Sequence, residues 1–149
     1  MPYPILVVSD AAAKRILHHD CRVFRDELNA PGDSLPNGEV VELSDRHGRF
    51  LAYAFYSGSS HVAARVVSLD RDQPVDRGLL KRRLTAALAR RQAVQGTNAK
   101  RLVFSEADGL PGLIVDQYAD CLVVQVRTAG MERWKADATK VLRSLVKPA

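Results

Sequence analysis

Apolar residues in this chain fall into short runs separated by polar breaks rich in Gly and Pro, and two later segments repeat them at helical spacing. Ile5–Val8 reads as a short strand. Ser9 is placed to cap a helix with Asp10 in its first turn and Ala11–Leu17 as its body. Residues 30–38, Ala-Pro-Gly-Asp-Ser-Leu-Pro-Asn-Gly, have the punctuation of a loop. Strands are predicted at Glu39–Leu43, Arg49–Tyr56 and Val62–Leu69, joined by turns at Asp45–Gly48 and Ser57–Ser60. Short strands at this spacing, with one small helix, predict a small barrel-like sheet.

Asp70-Arg71-Asp72-Gln73-Pro74 is polar and broken by proline, so it reads as a linker. Asp76 can cap a helix over Arg77–Val94, with Leu80, Leu84, Ala87, Leu88 and Val94 as its buried stripe and Gly96 at its end. Three strands follow, centred on Leu102–Phe104, Leu113–Val115 and Leu122–Val126. The first two are separated by the acidic turn Glu106-Ala107-Asp108-Gly109-Leu110-Pro111-Gly112. That turn has Gly where φ must be positive and Pro where φ is already set. A last helix is predicted over Met131–Val146, with Met131, Trp134, Ala138, Val141, Leu142 and Leu145 on one stripe and Pro148 as its stop. On such a stripe Trp134 reads as core. The fold class is therefore α+β: a small barrel at residues 1–72, then at 73–149 a basic helix and a partial strand-strand-helix domain.

Charge changes this picture by its location. The chain has 149 residues and a net charge of +5. Residues 1–75 net −2, residues 76–101 net +7 and residues 102–149 net zero. A concentrated basic stripe suits a phosphate backbone, and it also suits a solvated helix face rich in arginine. No apolar run approaches the roughly 20 residues that span a bilayer, and the N-terminus lacks the features of a secretory signal. Cys21 and Cys121 are too few for a disulfide scaffold and have no metal-binding spacing. The expectation is a cytoplasmic protein with no membrane partner.

Three sets of residues could carry chemistry. Lys14, Arg15, His19 and Arg22 surround the first helix end and suit contact with RNA. His18 and His19 are adjacent, and with Cys21 they do not supply the spaced ligand set that zinc requires. Glu106, Asp108 and Asp116 are carboxylates clustered between apolar runs. Such groups can do acid–base work when their pKa values are pushed apart, or they can cap turns by accepting backbone N–H bonds. No nucleophile or metal accompanies them, so the structural role fits better. No Gly-rich phosphate loop precedes a helix anywhere, because Gly109 and Gly112 lie between strands.

The residues Gly38–Asp70, with Gly38-Glu39, the Asp45/Gly48 turn, Ala54-x-Tyr56-Ser57 and Ala64-Arg65-Val66, resemble the amino-terminal PUA domain of bacterial large-subunit ribosomal RNA cytosine-5 methyltransferases. SEADGLPGLIVDQYADCLVVQ resembles the central domain of the same family, and its DGLPGLxVDxY turn is the most specific part. One departure is His19-Asp20-Cys21-Arg22-Val23-Phe24, where relatives carry a His-Pro-Trp-Val-Phe-like segment. In the family, the central domain continues with two more strands and a Rossmann-like domain follows, which holds S-adenosylmethionine and the catalytic cysteine. None of that is in this sequence, and neither Cys21 nor Cys121 has that cysteine's context. The resemblance implies an RNA-binding portion whose partner is ribosomal RNA, with no cofactor in this chain and S-adenosylmethionine in the longer protein. Arg65 and the helix residues Lys81, Arg82, Arg90 and Arg91 join the RNA-binding candidates. Glu106, Asp108, Gly109, Pro111, Gly112 and Asp116 are candidates for a turn at a cleft. The other readings are a free-standing RNA-binding adaptor and a small acid–base enzyme. A sheet missing its last strands would leave an edge within residues 113–127 open to pairing, so a homodimer is also expected.

Overall fold

A computed structural model describes residues 2–29 and 34–147. The expected loop positions 30–33 and the helix stop Pro148 lie outside the described residues. The chain divides into two compact units, residues 1–75 and 76–149.

The first unit is built on a five-stranded sheet. Its strands are β1 (Ile5–Val7), β2 (Arg22–Phe24), β3 (Val40–Ser44), β4 (Phe50–Tyr56) and β5 (Val62–Ser68), in the order β1-β3-β4-β5-β2. β1 runs parallel to β3 and the remaining pairs are antiparallel. The two end strands do not stay open. Val8 bridges to Leu28, Ser9 N–H donates to the Glu27 carbonyl at 2.8 Å, and Asn29 N–H donates to the Val7 carbonyl at 2.9 Å. These bonds close the sheet into a small barrel and remove its free edges. Helix α1 (Asp10–Leu17) starts where Ser9 predicts, with Ser9 Oγ accepting from Ala12 N–H. Its Ala12, Ala13 and Ile16 enter a core with Val23, Val41, Leu43, Ala54, Tyr56 and Ala64.

The strand β2 carries no sequence signal of its own, because His18-His19-Asp20-Cys21 before it is not an apolar run. It is held by side chains. Arg15 donates to Asp20 at 3.0 Å, to the Arg22 carbonyl at 3.2 Å and to both oxygens of Glu27. Arg25 donates to the Ser57 and Ser60 carbonyls at 2.6 and 2.9 Å, which fixes the β4–β5 turn. Residues expected to form a linker are tied to this unit: Tyr53 Oη donates to the Arg71 carbonyl at 3.0 Å and Val75 N–H donates to Tyr3 Oη at 3.3 Å. The unit boundary therefore falls at 75, where the sequence places it at 72.

The second unit packs two helices on one face of a three-stranded antiparallel sheet. α2 is Arg77–Arg91 and α3 is Ala129–Val146. The strands β6 (Ala99–Phe104), β7 (Leu113–Tyr118) and β8 (Cys121–Val126) lie in sequence order. Asp76 caps α2 by accepting from Leu79 N–H at 2.8 Å, and Thr128 caps α3 by accepting from Met131 N–H at 3.3 Å. α2 ends three residues earlier than expected. Gln92 and Val94 N–H fall back to the Ala89 and Arg91 carbonyls, and Val94 is 45% exposed. The buried positions of α2 are Leu79, Leu80, Leu84 and Ala87. Leu88 is half-buried, and Gly96 lies in the connection beyond the helix with φ +75°.

Candidate nucleic-acid interface

In the first unit, β2 and β5 pair so that Arg22 stands directly across from Arg65. Neighbouring Val23 and Ala64, also paired, are buried in the core, so strand alternation sends the two arginines to the outer side. The next aromatic on that side, Phe24, lies 5.3 Å from the His61 ring, with the Arg15 and Arg22 guanidinium carbons at 5.8 and 5.9 Å from its centroid. Like charges placed directly opposite on adjacent strands cost stability, and an anion between them relieves that cost. Lys14 is exposed on α1, and His19 is exposed just past its end, in a left-handed turn with φ +67°. Arg15 has a different position. It is committed to Asp20 and Glu27, whose bonds hold the Glu27 carboxyl below its ordinary range.

The cations of α2 divide in the same way. Arg77 pairs with Asp137 at 2.8 Å. Arg83 turns inward and donates to the Gly109 carbonyl, where burial lowers its pKa. Arg90 and Arg91, expected to reach RNA, converge on Asp108. Arg91 gives it two bonds of 2.7 Å and Arg90 one of 2.5 Å, and Phe104 N–H adds a fourth at 2.6 Å. Burial pushes the Asp108 carboxyl up, but the arginines and the amide outweigh it and hold it below the usual carboxylate range. Lys81 and Arg82 stay exposed on the outer face of the helix. The basic stripe is therefore largely an internal clamp on the acidic turn, with these two residues facing water.

The turn itself is preorganised. Residues Ser105–Asp108 form a short 3-10 turn that starts at a left-handed Ser105, φ +48°. Ser105 Oγ donates to Glu106 and accepts from Gly112 N–H at 2.8 Å. Gly109 and Gly112 take φ of +67° and +85°, and a Cβ on Gly112 would overlap the Thr128 side chain. Thr128 Oγ1 in turn donates to the Pro111 carbonyl at 3.0 Å. Asp116 does not cap a turn. It sits mid-strand on β7, opposite Arg101 on β6, and accepts two bonds of 2.7 and 3.0 Å that lower its pKa. Asp108 and Asp116 are thus held as ionised partners of arginine, which is not the arrangement of an acid–base pair. Among the described residues no group of His, Cys, Asp and Glu is arranged to hold a metal ion. The Gly109–Gly112 turn leads into strand β7, not into a helix N-terminus, so it does not fit the adenosyl group of S-adenosylmethionine.

Residues 6–69 match the PUA-like domain family. The first unit is a PUA-like domain. Similarity then extends past it. The chain is 42% identical over 135 residues to the protein named ribosomal RNA large subunit methyltransferase I of Aeromonas salmonicida, covering 89% of this chain and 34% of that protein. It is 31% identical over 146 residues to the protein of the same name from Klebsiella pneumoniae, covering 96% of this chain and 36% of that one. It superposes, with TM-score 0.84 and 18% identity, on a Streptococcus mutans protein described as a SAM-dependent methyltransferase, covering 97% of this chain and 38% of the other. The chain thus spans about a third of the length of these proteins and corresponds to the amino-terminal part of the ribosomal RNA large subunit methyltransferase I proteins. Its PUA-like domain carries the Arg22–Arg65 pair, and its second unit carries the clamped acidic turn. Sequence reasoning missed the inward role of Arg83 and the ring pair Phe24–His61. The first leaves no signal, because every cation on a basic helix looks alike until its partner is known.

Proposed function

We propose that this chain is the RNA-gripping part of an enzyme that methylates large-subunit ribosomal RNA. The observation that carries this reading is the Arg22–Arg65 pair on the outer side of β2 and β5, in a PUA-like domain homologous to ribosomal RNA methyltransferases. Two guanidinium groups side by side suit adjacent phosphates of a helical RNA, which proteins read mainly through shape and backbone. Lys14 and His19 extend that contact in the first unit, and Lys81 and Arg82 supply it in the second. Arg15, Arg90 and Arg91 act one step back, since their charges hold the protein surface in place. Transfer of a methyl group from S-adenosylmethionine to C5 of a cytosine belongs in this proposal to the longer protein. The residues here hold and orient the RNA, and the setting is the cytoplasm, where ribosomal RNA is found.

The test is binding of a blunt RNA hairpin by the 149-residue chain at several salt concentrations. Arg22→Ala with Arg65→Ala should weaken affinity by about tenfold or more and lower the slope of log affinity against log salt by roughly 0.7–0.9 for each phosphate no longer neutralised. Lys81→Ala with Arg82→Ala should reduce the slope in the same way. A salt-independent affinity, or no binding, rules the proposal out.

A further inference from the structure

The sheet of the second unit has a face that the helices do not cover. Directly paired residues share a face, and the pairing gives three cross-strand rows: Phe104–Ile114–Gln125, Arg101–Asp116–Val123 and Ala99–Tyr118–Cys121. The opposite face, which includes Leu122 and Val124, lies against Thr139 and Leu142 of α3. On the uncovered face Phe104 is 48% exposed, Tyr118 54% and Val123 46%. Three large apolar side chains exposed on one small sheet form a patch that solvation does not explain.

Its chemistry is planar and cationic. The Arg101 guanidinium carbon sits 5.1 Å from the Phe104 ring centroid, and its charge is cancelled by Asp116. The alternation of β8 continues to Arg127, whose N–H donates to the Gly112 carbonyl at 2.8 Å and whose side chain is exposed. Among the described residues Arg127 has no side-chain partner, so the face carries one uncompensated positive charge beside two rings. Rings at this spacing on an open sheet, with a free guanidinium at the rim, suit unstacked nucleobases with a phosphate alongside.

We infer that this face, centred on Phe104 and Tyr118, binds unpaired nucleotides of RNA by base stacking. The inference rests on the RNA-binding reading above and adds a second, single-strand site to the duplex contact of the first unit. The PUA-like domain then grips a helix while the second unit holds nucleotides that have left their stack.

The experiment uses the full chain and three probes: a ten-nucleotide uridine oligomer, the same oligomer with abasic sites, and the blunt hairpin. Phe104→Ala and Tyr118→Ala should each weaken the uridine oligomer by about tenfold or more and leave the hairpin unchanged. Arg127→Ala should lower the salt slope for the oligomer by roughly 0.7. Alkylation of exposed Cys121, paired with Tyr118, should slow in the presence of the uridine oligomer and not of the abasic one. Both rings are exposed, so a melting midpoint close to that of the parent chain shows that the variants fold. Hairpin binding with unchanged oligomer affinity in the variants overturns this inference and leaves the proposed function standing. Failure to bind any of the probes removes both. A dimer that Phe104→Ala and Tyr118→Ala dissolve shows that a second copy occupies the face, and also overturns the inference.

Discussion

The two sheets of this protein are finished differently. The barrel of the first unit joins its end strands through residues 27–29 and fills its interior with α1, so it has neither an open edge nor an empty face. The sheet of the second unit is covered on one side, ends at an unpaired β8, and exposes Phe104, Tyr118 and Val123 on the other. A closed barrel can only offer partners its outward side chains, and here those are cations. An open sheet offers backbone and apolar surface as well. The second unit therefore depends more on its internal clamp, and changes to that clamp should have the largest effects.

Asp108→Ala should be the most damaging single change. It leaves Arg90, Arg91 and the Phe104 amide without their shared acceptor, and removing one partner from a buried charge network costs about 3 kcal/mol. For a unit of this size the melting midpoint should fall by roughly 12–20 °C. Trp134, the single tryptophan, lies on α3 and reports that transition by its fluorescence. An unchanged midpoint would mean that the arginines are equally well served by water. Gly112→Ala should rank next, at about 2 kcal/mol. It combines a left-handed backbone with a Cβ that meets Thr128. Thr128→Ser in the same chain should recover part of that stability, because it removes the methyl that the new Cβ overlaps.

Much of this is legible in the sequence, for reasons that particular residues show. Ser9, Asp76 and the strands around Tyr56 and Val66 can be read directly because caps and alternating runs are local signals. The DGLPG turn is legible as a turn, since its glycines do take positive φ. β2 is not legible, because Arg15, Asp20 and Glu27 create it through bonds across twelve residues. The fate of the basic stripe is hidden for the same reason. Arg90 and Arg82 look alike in sequence, and only the distance to Asp108 separates a clamp from a surface charge.

A smaller effect is expected in the first unit. Glu27→Ala removes both bonds from Arg15 and the one from Phe24 N–H, at about 1–2 kcal/mol. Amide exchange at Phe24 should quicken, since β2 is then no longer tied to α1. The same carboxylates set the acid limb of stability. Arg15 lowers the pKa of Glu27, and the bonds to Asp108 outweigh its burial, so both are depressed in the folded state. Their contribution is present above the ordinary carboxylate range, near pH 4, and is lost as pH falls through the lower folded values. Asp108→Asn should flatten that limb when it is followed by Trp134 fluorescence, and Glu27→Gln should not.

The smallest effect bears on the open edge. β7 is paired on both sides, so of residues 113–127 only β8 offers free backbone groups. Its sequence, Cys-Leu-Val-Val-Gln-Val, has no charge and no proline, the devices that keep edge strands apart. Weak antiparallel self-pairing through β8 is therefore expected, with a mass by light scattering that rises towards twice the monomer at high concentration. Gln125→Lys should abolish it by bringing like charges near one another across the paired edges. This dimer uses backbone at the rim and leaves the Phe104–Tyr118 face free, so it should survive Phe104→Ala. A mass that stays monomeric at high concentration would mean that β8, although unpaired, is blunted by its own twist, and the contrast between the two sheets would then reduce to the uncovered face alone.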